Sequence, residues 1–96
     1  MELYIFGRFE VRAGAVAAFE EALREVMAAT RAEAGCLEAH GYRSLRKAGL
    51  YFLHSRWKDA AVFDAHAQLP HTLKFLEVTE RLLEKPRDVV RMERIA

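Results

Sequence analysis

Residues 36–57 read CLEAHGYRSLRKAGLYFLHSRW, and the fold turns on whether this stretch is one hairpin. Two arms, 36–45 and 50–57, flank the turn Arg46-Lys47-Ala48-Gly49, as a hairpin requires. Setting Ser44 opposite Leu50 pairs Glu38 with Arg56, His40 with His54 and Tyr42 with Phe52 on one face. On the other face Leu37 meets Trp57, Ala39 meets Ser55 and Gly41 meets Leu53. Cross-strand neighbours interact directly, so the Glu38–Arg56 charge pair and the grouping of small residues favour this register. A slip of one residue would exchange the two faces.

Upstream, residues 2–12 alternate. Leu3, Ile5, Gly7, Phe9 and Val11 lie on one side, and Glu2, Tyr4, Phe6, Arg8, Glu10 and Arg12 on the other, which predicts a strand with two unlike faces. Gly14 releases the chain into a helix expected over 15–34, with Val16, Phe19, Leu23, Val26 and Met27 on one stripe. Gly35 is placed to end it. Downstream, WKDAAVFDAHAQLPH over 57–71 joins a strand end to an N-cap candidate, Asp59, and a helix over 60–68. Pro70 then opens another helix to about 84, with Leu73, Leu76, Leu83 and Phe75 as candidates to face inward. Lys85-Pro86 stops it, and 87–95 forms a last strand.

The order strand, helix, strand, strand, helix, strand is the split βαβ pattern of an antiparallel ferredoxin-like α+β fold, in one domain spanning 1–96. The face carrying Trp57 should pack under the helices. Gly7, Ala39, Gly41 and Ser55 thin that face, and a void beside an indole is a candidate pocket. The opposite face holds Tyr4, Phe6, Tyr42, Phe52, His40 and His54, more aromatics than a solvated sheet needs. Another surface is expected to cover it.

Composition bounds the function. The chain has 96 residues, 52% hydrophobic, with 15 basic and 14 acidic side chains interspersed for a net charge of +1. No basic face or stripe marks a nucleic-acid binder. The single cysteine excludes an internal disulfide and fits a reducing compartment. MELYIFGRFEVR lacks the basic start and long apolar run of a signal peptide, and no stretch approaches the ~20 apolar residues of a membrane span. We therefore expect a cytoplasmic protein with no membrane or nucleic-acid partner.

With these residues in place, the chain resembles the antibiotic biosynthesis monooxygenase domain. The resemblance rests on Gly35-Cys36-Leu37, Ser44-Leu45, a strand ending in Trp57, and a helix with His66 leading to Pro70-His71. It covers essentially the whole chain. It implies a homodimer in which two ferredoxin-like sheets pack face to face as a dimeric α/β barrel. The family divides into members that oxidise phenols or quinols without metal or flavin, members that degrade haem, members that isomerise phosphorylated sugars, and members of no established activity. The haem-degrading branch carries an asparagine where this chain has Gly7. In the polyketide-oxidising branch an asparagine and a tyrosine stand where Leu53 and Phe63 stand here.

Each candidate has a structural reading beside the functional one. Trp57 serves equally as a core aromatic or as a wall stacking on a planar substrate. His66, on a short helix beside the void, is the candidate base for a phenolic proton, against an ordinary surface or capping role. His71 suits a loop-supporting hydrogen bond. Arg43, on the pocket side of the register, is a candidate anion ligand. His40 and His54 lack a third donor for a metal, and Cys36 lacks an activating base, so no metal or cofactor is expected.

The reading is a cofactor-independent monooxygenase of a small aromatic phenol or quinol, using dioxygen. His66 is catalytic, and Trp57, Phe63, His71 and Arg43 bind substrate. Its rivals are an isomerase of a small phosphorylated sugar and a non-catalytic, stress-related ligand-binding dimer.

Overall fold

The computed structural model describes residues 1–96. Its elements are β1 (Leu3–Glu10), α1 (Val16–Arg31), β2 (Cys36–Arg43), β3 (Leu50–Trp57), α2 (Ala60–His66), α3 (Pro70–Glu80) and β4 (Asp88–Met92). The four strands form one antiparallel sheet in the order β2-β3-β1-β4. With the helices on one face, this is the ferredoxin-like α+β arrangement expected from the element order.

The hairpin register holds at five of the six expected strand pairs. Glu38 stands opposite Arg56, Ala39 opposite Ser55, His40 opposite His54, Gly41 opposite Leu53 and Tyr42 opposite Phe52. The exception is at the strand start, where a bulge between Cys36 and Glu38 places Cys36, not Leu37, opposite Trp57. A bulge inserts one extra residue and re-aims its side chain; Leu37 is accordingly exposed. At the turn, Gly49 adopts φ +83°, where a side chain would strain the backbone, and an added Cβ would lie 2.6 Å from the Val11 carbonyl oxygen.

Helix α1 buries Phe19, Val26, Met27 and Thr30. It ends at Arg31 rather than at 34, because Ala32–Gly35 turns into β2. Gly35 is not a left-handed cap. An added Cβ there would overlap Val62 Cγ1, so glycine lets α2 lie directly on the turn. Asp59 caps α2 as its position implied, accepting a 2.9 Å hydrogen bond from the Val62 N–H. Such a cap stabilises by about 1 kcal/mol.

Helix α3 starts at Pro70 and stops at Glu80, short of the expected 84. The chain then turns so that Leu83 bridges Val11, and Arg12 Nε donates to the Leu83 carbonyl at 3.0 Å. The inward side of α3 is Thr72, Phe75 and Thr79, while Leu73 is exposed. Thr79 tolerates burial because its hydroxyl donates to the Phe75 carbonyl at 2.7 Å. Phe9, Phe19, Tyr51 and Phe75 form the aromatic centre of the core, with ring centroids 4.8–6.2 Å apart. Pairs at such separations add about 0.5–1.5 kcal/mol each beyond burial. This centre packs toward the Glu10 end of the sheet–helix layer, and Phe75 alone of the four also lines the cavity described below.

Candidate active site

Four of the five cavity-facing positions on the central strands are small or apolar: Ile5 and Gly7 of β1, Leu53 and Ser55 of β3. Trp57 is the fifth. Helices α1 and α3 bridge over them and leave a cavity of about 220 Å³. Val26, Met27, Phe63, Phe75, Leu76 and Val89 complete its apolar wall, and Thr30, His66, Thr72 and Arg87 supply the polar atoms. An apolar cavity of about 150 Å³ admits a benzene ring, so this one has room for a small substituted aromatic.

The expected void therefore exists, with a different rim. Gly7 and Ser55 line it; Ala39 and Gly41 do not. Those two sit on β2, the outer strand on the far side of β3, and Gly41 is covered by Leu23. On the β4 side Val89, which stands opposite Gly7, lines the cavity.

Trp57 is completely buried. Its indole Nε1–H donates to Ser55 Oγ at 2.8 Å, so the ring is fixed and has no donor left for a ligand. Its centroid is 4.4 Å from the His66 imidazole and 5.4 Å from the Phe63 ring. His66, the last residue of α2, is 9% exposed. The structure thus brings Trp57, Phe63 and His66 together on one wall.

Behind that wall stands Glu33, which no sequence motif marks out. Glu33 Oε2 is 2.7 Å from His66 Nδ1 and 2.7 Å from His71 Nε2. Glu33 lies in the turn between α1 and β2, more than thirty residues from either histidine, and no local pattern links the three. With the carboxylate accepting, the His66 proton sits on Nδ1 and the unshared pair on Nε2, the nitrogen that Glu33 does not engage. Thr72 Oγ1, 3.3 Å from the same Nδ1, helps hold the ring. His71 is not part of the cavity lining; it supports His66 through the shared carboxylate.

Glu33, His66 and His71 are also the one group of three or more donors close enough to share a metal ion, their ligand atoms lying within 4.8 Å of one another. Two hydrogen bonds to one carboxylate oxygen account for that spacing without an ion.

Arg43 is the residue that the structure takes out of the site. It faces the helices, but beyond the end of the cavity, where its guanidinium pairs with Glu20 Oε2 at 2.8 Å. Glu20 also accepts from the Tyr51 hydroxyl. Those two hydrogen bonds, from Tyr51 first and Arg43 second, hold the Glu20 carboxyl below its usual range, while burial followed by the Glu20 bond pushes Tyr51 up. The group is a closed ionic cluster at the aromatic core. Cys36 is half-buried, and burial raises its thiol, the opposite of an activated nucleophile.

The antibiotic biosynthesis monooxygenase family model matches residues 3–78, and the chain belongs to that family. Among solved structures, it is similar to Rv0793 from Mycobacterium tuberculosis at 27% identity and a TM-score of 0.94, over 100% of this chain and 97% of that one. PA3566 from Pseudomonas aeruginosa is 28% identical with a TM-score of 0.90, over 99% and 95% of the two chains. A protein described as an antibiotic biosynthesis monooxygenase shares the fold at a TM-score of 0.93 and 20% identity, over 98% and 99%. No curated protein matches the sequence. At family level the chain is a monooxygenase-type protein. No helix is long and apolar enough to cross a membrane.

Proposed function

We propose that this chain is a cofactor-independent monooxygenase acting on a small aromatic phenol or quinol, as a homodimer in the cytoplasm. The observation that carries the reading is His66: a carboxylate-oriented imidazole set in the wall of an apolar, aromatic-lined cavity.

The chemistry needs little more from the protein. His66 Nε2 takes the phenolic proton, and the resulting phenolate is itself the reductant. It passes an electron to dioxygen, and the radical pair joins at a ring carbon to give a peroxide anion, which takes the proton from His66. The O–O bond then breaks as that carbon loses its hydrogen as a proton to His66. One oxygen atom stays as a quinone carbonyl, and the other leaves as water, accepting the proton that His66 holds. One phenol and one dioxygen give one quinone and one water, so no outside reductant is called for. Trp57 and Phe63 present ring faces or edges to the substrate, and the apolar wall excludes water that would protonate the phenolate.

The sugar-isomerase reading fits less well, because a polyhydroxylated substrate would face mostly hydrocarbon here. The test is oxygen uptake by the purified protein across a series of phenols and quinols, with His66→Ala alongside. Uptake that falls about 10²- to 10⁴-fold in the variant supports the assignment. Absence of uptake throughout the series overturns it.

A further inference from the structure

One charged side chain lines the cavity, at its border with a surface groove, and that charge has no partner. Arg87 stands just before β4 and is half-buried. Strand alternation puts Arg87, Val89 and Arg91 on the same face, the one that meets the helices. Arg91 is neutralised: it pairs with Asp64 at 2.7 Å and lies over the Phe63 ring at 5.0 Å. Arg87 makes no hydrogen bond or ion pair with any residue of the chain. Arg87 also borders the adjoining surface groove, which Glu80 and Glu84 line, but neither carboxylate comes within ion-pair distance of it. No acidic residue lines the cavity.

A second observation comes from the cavity roof. Thr30 is 2% exposed, and its hydroxyl is the one buried side-chain polar atom of the chain without a partner. Buried polar groups are nearly always satisfied, and an orphan calls for a specific reason. Thr30 borders the same cavity as Arg87.

Position along the strands gives the order of these groups. His66 packs on Trp57, which stands opposite Leu3. Arg87 precedes Asp88, which stands opposite Arg8, so it enters from the other end of β1. The cavity therefore has a proton acceptor toward one end, a mostly apolar lining between, and a cation bordering the other.

We propose that the substrate is an aromatic hydroxy acid, with its phenolic hydroxyl on His66 and a carboxylate on Arg87. The inference rests on reading this cavity as the substrate site and adds the anionic group. Guanidinium and carboxylate match in shape, and their hydrogen bonds are charge-assisted. A planar ring system between them would stack or edge against Trp57 and Phe63.

The test is calorimetric titration of the full chain with 6-hydroxy-2-naphthoate and with 2-naphthol, which differ by the carboxylate alone. The acid should bind about tenfold tighter or more, the size of one hydrogen bond to a charged group. Arg87→Gln should remove that preference and leave 2-naphthol binding unchanged, while Arg87→Lys keeps part of it. Equal affinities, an acid preference that survives Arg87→Gln, or no binding of either compound would overturn the proposal. So would inorganic phosphate displacing the acid at equal concentration, which would give Arg87 to a phosphate ester. Oxygen uptake is read separately: Arg87-dependent binding without uptake removes the monooxygenase reading and leaves the anion subsite standing.

Discussion

Glu33 Oε2 lies 2.7 Å from His66 Nδ1, and that one contact joins the turn after α1 to the end of α2 across the mouth of β2. The carboxylate does for this imidazole what an orienting acid does for any catalytic histidine: it fixes the tautomer and the ring plane. A second bond of equal length to His71 anchors the carboxylate in turn.

Glu33→Gln should therefore separate orientation from proton transfer. The amide presents either its oxygen or its NH2 to both rings at the place of Oε2, so the ring position survives while the charge that enforces the tautomer is lost. We expect oxygen uptake to fall at least tenfold with little change in KM. Loss of a hydrogen bond to a charged group should also cost about 1.5–3 kcal/mol of stability, read from urea denaturation. An unchanged rate with a weakened fold would make Glu33 purely structural.

Gly35 offers a test of packing at the same corner. A Cβ there overlaps Val62, so Gly35→Ala should destabilise by about 1–3 kcal/mol through overpacking. Adding Val62→Ala should recover part of that loss. A pair of single variants whose effects simply add would contradict direct contact.

Acid stability should depend on Glu10. Hydrogen bonds from Lys47 and then Lys85 lower its carboxyl to about 2. A folded pKa below the unfolded one stabilises above the unfolded pKa and is lost as pH falls through the folded value. The contribution of Glu10 is thus full at neutral pH and fades between about pH 4.5 and 2. Thermal melts of wild type and Glu10→Gln should differ at pH 7 and converge toward pH 2; a constant gap across that range would refute the linkage.

The outer face of the sheet should close against a second copy. Phe6, Tyr42, Phe52 and Met92 are each 40–52% exposed there, around His54, whose ring lies 4.7 Å from that of Phe6. Sedimentation equilibrium should give a dimer, and Phe52→Glu should yield a folded monomer. A monomeric wild type at micromolar concentration would remove the dimer from the proposed function.

The sequence carried the fold well because the fold depends on local period. Strand alternation in β1, the turn at Gly49, the cap at Asp59 and the start at Pro70 are all decided within a few residues. What it misplaced were side chains whose role depends on distant partners. Hydrophobicity alone places Leu73 inside, yet Thr72 and Thr79 are the buried residues, with hydrogen bonds to their hydroxyls. Arg43 faces the helices as its register implied, but Glu20 waits for it beyond the cavity. Glu33 and Arg87 had no motif at all; one becomes visible through two imidazoles, the other through the lack of any counter-charge.

The indole of Trp57 has a further consequence, for measurement rather than for chemistry. It is the only tryptophan in the chain, wholly buried, with its N–H tied to Ser55 and His66 4.4 Å away. The tryptophan fluorescence of this protein thus originates at its site. Emission should be shifted to short wavelength in the folded state, and a ring entering beside Phe63 should change its intensity. The protein carries its own reporter, so occupancy of the cavity can be followed without a label and without knowing the reaction.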